Sequence, residues 1–245
     1  MKIHSLNPVK ILGQLFINLL RIDLGDKVTV TGWISSGSTF IYQVLNEIGV
    51  NVKKEHTISR FNKHRGRIIY TIRDPRDVIV STAKRHFYKI VEAEGINTAI
   101  ETAIDYFNNS LRTHMSSTDI FSNKNCLLVR YENFFPNNEV VLTRLLADMF
   151  NQSLTDAEIV RIAQKYSIEE NLLRSQGIKN FEHMDSESLL HGNHISNMGK
   201  SGVYRQYFNA ANVEKFNRVL GHLLHDFGYA SEMKWGEGNQ IPAGA

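Results

Sequence analysis

A three-layer α/β fold, with a central and mostly parallel sheet flanked by helices, is predicted by three observations. Short β-branched runs recur along the chain, each ends at a glycine or a polar turn, and each is followed by apolar residues at helical spacing. Residues 27–31 (KVTVT) lie between Gly25 and Gly32, and residues 39–48 (TFIYQVLNEI) carry the first helical pattern. Residues 68–72 (IIYTI) follow Gly66 and stop at Arg73-Asp74-Pro75, where Asp74 suits a helix N-cap and Pro75 the first helical position. Residues 126–129 (CLLV) run into Arg130-Tyr131-Glu132, and a helix is predicted over 139–150, beyond Pro136. Strands alternating with helices predict parallel pairing, with a ligand crevice at the carboxyl ends of the strands.

Further helices are predicted over 96–115, 156–175 and 211–227, the last with Val213, Phe216, Leu220, Leu224 and Phe227 on one stripe. Residues 87–97 and 176–202 are expected to be loops. The chain has only four prolines and no Gly/Ser/Pro-rich linker, so one domain is expected over 1–232, with 233–245 as a disordered tail.

Composition narrows the function classes. The 245 residues hold 28 Lys plus Arg against 25 Asp plus Glu, a formal net charge of +3, too small to argue for a nucleic-acid partner. Cys126 is the single cysteine, which excludes a disulfide framework and a cysteine-based zinc site. Of the ten histidines, only His191/His194 and His222/His225 stand at a helical i, i+3 spacing, without the carboxylate arrangement of a metalloprotease, so no metal is expected. The apolar stretch 9–20 is broken by Gly13, Gln14 and Asn18, too short and too polar to span a membrane, and no cleavage signal follows it. A cytoplasmic location is therefore expected.

Gly32-Trp33-Ile34-Ser35-Ser36-Gly37-Ser38-Thr39 keeps the spacing of a phosphate-binding P-loop, with Ser38 where a nucleoside triphosphatase places its lysine. Backbone N–H groups in such a loop, with the positive end of the following helix, suit a tetrahedral dianion, and Ser35, Ser36, Ser38 and Thr39 add hydroxyl donors. A kinase would also need an acidic metal ligand at the end of a second strand, whereas here that strand ends in Arg73. Arg73 at the strand end and Ser81 in the next helix can converge on a second phosphate. Taken singly, the loop reads equally as a Ser/Gly turn, and the Arg73–Ser81 segment reads more simply as a capped helix with solvated arginines.

Together the two junctions resemble the sulfotransferase family that uses 3′-phosphoadenosine 5′-phosphosulfate (PAPS), with a P-loop NTPase-like fold. The resemblance spans about residues 28–229. It implies that Ser35, Ser36, Gly37, Ser38, Thr39 and Phe40 form the 5′-phosphosulfate loop, with Ser35 in place of the family's basic residue. It implies that Arg73 and Ser81 hold the 3′-phosphate, and that Tyr131 lies against the adenine with Phe40 as the opposite face. Gly199 and Lys200 fall in the C-terminal nucleotide segment, where the family's Arg-Lys pair is not kept and Asn197 could give a weaker hydrogen bond.

Lys54-Glu55-His56 matches the family's Lys-x-His segment, which makes His56 the expected base for the acceptor proton, with Glu55 in reserve. Lys53, Lys54 or Lys200 is expected to supply the charge missing at Ser35. The implied reaction moves a sulfuryl group from PAPS to a hydroxyl or amine of a small-molecule or saccharide acceptor, releases adenosine 3′,5′-bisphosphate (PAP), and requires no metal. Arg205 and Glu214 mark the ends of a partly kept dimer segment, so both a monomer and a homodimer stay open. A non-catalytic PAPS/PAP-binding protein and a divergent P-loop kinase are the other readings.

Overall fold

A computed structural model describes residues 27–56, 66–179, 182–192, 194–195 and 199–229. The apolar stretch 9–20, Asn197 and the expected tail 233–245 lie outside the described residues. The chain runs β1 (Val28–Gly32), α1 (Ser38–Glu47), β2 (Val52–Lys54), β3 (Arg67–Ile72), α2 (Pro75–His86), α3 (Tyr88–Glu94) and α4 (Ile96–Leu111). It continues through α5 (Ser117–Ser122), β4 (Cys126–Arg130), α6 (Glu139–Met149), α7 (Asp156–Lys165), α8 (Ile168–Gln176) and α9 (Ala210–Asp226).

All four strands are parallel, in the order β2-β1-β3-β4, with Val30 beside both Lys54 and Ile69, and Ile69 beside Leu127. Every residue of β3 is buried, as expected of a central strand covered on both faces. Strand alternation sends Val28, Val30, Ile69 and Val129 to one face, where they meet α1, α6 and α7. Ile68, Tyr70, Ile72 and Cys126 point to the other face, against α2, α4 and α9. Three layers result, as the alternating sequence pattern predicted.

The chain leaves β1 for β2 on one side and reaches β3 on the other, so the loops after β1 and β3 diverge and leave a crevice between them. Asp74 caps α2 by accepting the Arg76 N–H at 2.9 Å, with Pro75 in the first turn, as the sequence predicted.

Three expectations need correction. The helix expected over 96–115 starts at Ile96 but stops at Leu111. The helix expected over 156–175 is two, because the Ser167 hydroxyl accepts the Glu170 N–H at 3.2 Å and starts α8 afresh. Residues 87–97 are not a loop, since α3 fills most of them and Gly95, at φ 91°, turns the chain into α4. Among the described residues of the expected loop 176–202, Met184 and His191 form an antiparallel bridge.

Candidate functional site

The carboxyl ends of all four strands open into one cleft of about 400 Å³, within the size range of small-ligand sites. Its floor is the loop 32–37. Trp33 anchors that loop in the core, edge-on to Phe107 at 5.7 Å and to Phe227 at 4.7 Å, and its backbone N–H donates to the Thr71 carbonyl at 2.9 Å. The Ser36 hydroxyl is turned inward and donates to the Trp33 carbonyl, so it serves the shape of the loop. Ser35 has φ 59° and Gly37 φ 89°, and two left-handed residues flanking Ser36 curl the backbone before α1 begins. At Gly37 a Cβ would stand 2.8 Å from Phe135 Cε2, so only glycine fits there.

Arg73 stands at the end of β3, buried, with its guanidinium 4.2 Å above the Tyr131 ring. It donates to the Ser35 carbonyl at 3.2 Å and to the Lys200 carbonyl at 2.7 Å, and so joins the loop to the C-terminal segment. Ser81 lies two turns into α2, buried in the cleft wall. The neighbouring charges of the Arg-Asp-Pro-Arg-Asp run are structural. Arg76 forms a two-pronged pair with Asp74 at 2.9 and 2.6 Å and lies over the Tyr204 ring. Asp77 accepts the N–H groups of Gly202 at 2.6 Å and Tyr204 at 3.1 Å.

Phe40 and Tyr131 both line the cleft. Phe135 touches both, stacked on Tyr131 at 4.7 Å and edge-on to Phe40 at 5.2 Å. The turn before Pro136 brings it there, and nothing in its spacing from Tyr131 marked it beforehand.

At the other end of the cleft, Lys54 Nζ donates to Thr39 Oγ1 at 2.7 Å. Burial, with the Arg85 charge nearby, lowers the Lys54 pKa to about 8. The His191 N–H donates to His194 Nδ1 at 3.3 Å, which leaves the proton of the neutral ring on Nε2, 3.2 Å from the same Thr39 oxygen. Burial keeps His194 neutral, its pKa well below the ordinary histidine value. Thr39 Oγ1 accepts from Lys54 and from His194, and its own hydrogen is left to donate into the cleft.

Of the three lysines expected to replace the loop cation, only Lys54 reaches the loop. Lys53 is paired with Glu55, and the Lys200 side chain is exposed while its carbonyl serves Arg73. His56 follows at the cleft rim, its pKa lowered first by burial and then by Lys54, His191 and Arg85. Gly199 closes the far side, held by the Tyr131 hydroxyl, and Ser38 completes the lining at the N-terminus of α1.

Sequence reasoning missed Arg85, which is buried in the wall and donates to Ser35 Oγ at 2.7 Å. Lys84, Arg85 and His86 read as an ordinary basic helix end. The signal available was its position four residues after Ser81, on the same helix face. His86, Tyr106, Ser110, Thr113 and His114 were missed too, and they form the wall beyond Arg85. No three His, Cys, Asp or Glu side chains converge as a metal site among the described residues, and none of the described helices is long and apolar enough to cross a membrane.

The fold is shared with known structures. The mouse sulfotransferase SULT7A1, complexed with PAP, superposes with a TM-score of 0.60 at 16% identity, covering 91% of this chain and 94% of that one. Retinol dehydratase superposes with a TM-score of 0.53 at 14% identity in two complexes. One, with androsterone and PAP, covers 88% of this chain and 85% of that one, and the other, with retinol and PAP, covers 89% and 86%. No protein of curated function matches by sequence. The sulfotransferase domain family matches residues 55–228, a span that opens at the end of β2 and closes after α9. The chain is therefore a member of the sulfotransferase domain family.

Proposed function

We propose that the protein is a PAPS-dependent sulfotransferase acting on a hydroxyl or amine of a small polar acceptor. The observation that carries this reading is that the curled loop 35–39, Arg73, Lys54 and Arg85 all line one cleft. The family membership supports it, as do the PAP complexes of the proteins that share the fold.

The cleft fits such a nucleotide. Two anionic groups are matched by two cationic zones, one at the loop and Lys54, the other at Arg73 and Ser81, and Tyr131 and Phe135 offer aromatic surface beside the second. When bound, PAPS would supply an activated sulfuryl group, whose bond to the 5′-phosphate oxygen breaks as its bond to the acceptor oxygen or nitrogen forms. Ser38, Thr39 and the loop N–H groups would hold the 5′ end, and Lys54 and the donors around it stabilise negative charge gathering there. Arg73 and Ser81 would hold the 3′-phosphate, with Gly199 and Lys200 closing the segment over it.

His56 takes the acceptor's proton on an unprotonated ring nitrogen. Its lowered pKa keeps the ring neutral at physiological pH, as a general base requires. Glu55 is the weaker candidate, because its carboxylate is already engaged by Lys53. The acceptor wall of His86, Tyr106, Ser110, Thr113 and His114 carries neutral imidazoles and hydroxyls, which suit a hydroxyl-bearing small molecule or saccharide. A cytoplasmic location accords with this soluble small-substrate chemistry.

Calorimetric titration of adenosine 3′,5′-bisphosphate and of ADP, with and without magnesium, on wild type and Arg73→Ala, tests the reading. Metal-independent preference for the bisphosphate, lost in the variant, is the expected result. Tighter binding of magnesium-ADP, with magnesium-dependent ATP turnover, would replace it with a P-loop kinase. Bisphosphate binding together with an inert His56→Ala comparison in turnover would leave a non-catalytic binder.

A further inference from the structure

The geometry points to Arg85 as the cationic arm of the phosphate loop, delivered from α2 to the place where Ser35 carries no charge. This assignment rests on the nucleotide reading above and extends it to a residue outside the motifs that suggested it.

Arg85 is ten residues beyond the start of α2, on the face that Ser81 shares, and that face looks into the cleft. Its guanidinium is buried and donates to Ser35 Oγ at 2.7 Å, while Arg73 holds the Ser35 carbonyl at 3.2 Å. One loop residue is thus gripped by two guanidinium groups from the same β3–α2 unit. Because Ser35 Oγ accepts from Arg85, its own hydrogen is directed away from the guanidinium and can donate to an anion seated in the loop. A serine backed by a cation thereby does the work of a basic side chain at that position.

The electrostatics point the same way. Burial and the nearby Arg73 charge lower the Arg85 pKa to about 10, so it stays protonated at neutral pH in a setting that opposes its charge. Lys54, at Thr39, is lowered in turn by the Arg85 charge. Three cations held close to one loop repel each other, and an anion bound among them relieves all three at once. Lys84, next in the chain, turns the opposite way and donates to the Tyr207 hydroxyl at 2.7 Å, so of these two cations it is Arg85 that faces the cleft.

The test is a set of four proteins: wild type, Arg85→Met, Ser35→Lys and the double variant, each titrated calorimetrically with adenosine 3′,5′-bisphosphate and with adenosine 3′-monophosphate. Arg85→Met should weaken the bisphosphate at least about ten-fold and leave the 3′-monophosphate unchanged, because Arg85 stands at the loop end of the cleft. In the double variant the new lysine should recover most of that loss, whereas Ser35→Lys alone should bring no gain. Thermal unfolding of ligand-free Arg85→Met should occur at or above the wild-type temperature, since a repelled buried cation has been removed, and this separates lost binding from lost folding.

Wild-type binding with an unchanged Arg85→Met would overturn the assignment alone. Equal weakening toward both nucleotides, or a double variant no better than Arg85→Met, would overturn it as well. A wild type that binds neither nucleotide would overturn the nucleotide reading and this assignment together.

Discussion

The Tyr131 hydroxyl donates to the Gly199 carbonyl at 2.7 Å and joins the end of β4 to a segment 68 residues later. The same ring lies beneath Arg73 and stacks on Phe135, so one phenol fixes three walls of the cleft. Its burial raises the phenol pKa to about 12, which keeps the donating proton in place throughout the physiological range.

Gly199 is the vulnerable partner in that contact. It has φ +66°, and a Cβ there would stand 2.4 Å from Ile168 Cδ1 and 2.6 Å from the Tyr131 oxygen. Gly199→Ala is expected to lose about 1–3 kcal/mol of stability and to weaken bisphosphate binding. Denaturant unfolding paired with titration checks both, and an unaffected variant would mean the segment is not seated against Tyr131.

His56→Ala should lower kcat by about 10²-fold or more while bisphosphate affinity holds. Because burial and the positive charges of its neighbours lower the His56 pKa, the imidazole loses its proton below the ordinary histidine value. The acid limb of the kcat/KM profile should therefore fall below that value, with activity level above it. A limb displaced upward would assign the base to another group.

Lys54 offers a signature that needs no turnover. Its pKa of about 8 means that part of the population is neutral in mildly alkaline solution, and an anion in the loop favours the protonated form. Bisphosphate binding near pH 8.5 should take up protons and so show an enthalpy that depends on the buffer, and it should weaken as the pH rises further. Near pH 6.5 the buffer dependence from Lys54 should vanish, and Lys54→Met should abolish it at the higher pH.

Gln43 ties the irregular stretch above the cleft to α1. Its amide donates to the Ser188 carbonyl at 2.9 Å and its carbonyl accepts from Asn171 Nδ2 at 2.9 Å, with both side chains buried. Gln43→Leu strands those partners and should cost about 1–3 kcal/mol in urea unfolding. A neutral variant would show that the stretch can give up this contact without loss.

Much of this fold was legible because β1, β3 and β4 are apolar runs with clear ends, and because Asp74-Pro75 is a strong local start for a helix. β2 has three residues, two of them lysines, and only the neighbouring β1 makes it a strand. Ser167 passed for a residue on the polar face of one long helix, since its capping bond depends on a backbone turn that composition does not reveal. In the cleft, residues lying within contiguous motifs were legible, including Arg73, Ser81 and the loop from Ser35 to Phe40. Arg85 and Phe135 were not, one concealed in a basic helix end and the other beside a proline, because each reaches the cleft by tertiary placement rather than by local pattern.

Asp77 is fully buried at the start of α2, and the groups that satisfy its carboxylate are backbone N–H donors 125 and 127 residues further along. As the ribosome releases the chain, the early strands and the phosphate loop emerge long before those donors exist. Until they arrive, Asp77 has only water and the Arg73 charge to answer its own, and the cleft lacks the wall that Gly199 and Lys200 provide. Ligand competence is thus acquired late in synthesis, and truncation within the stretch before Gly202 should yield a chain without a closed cleft.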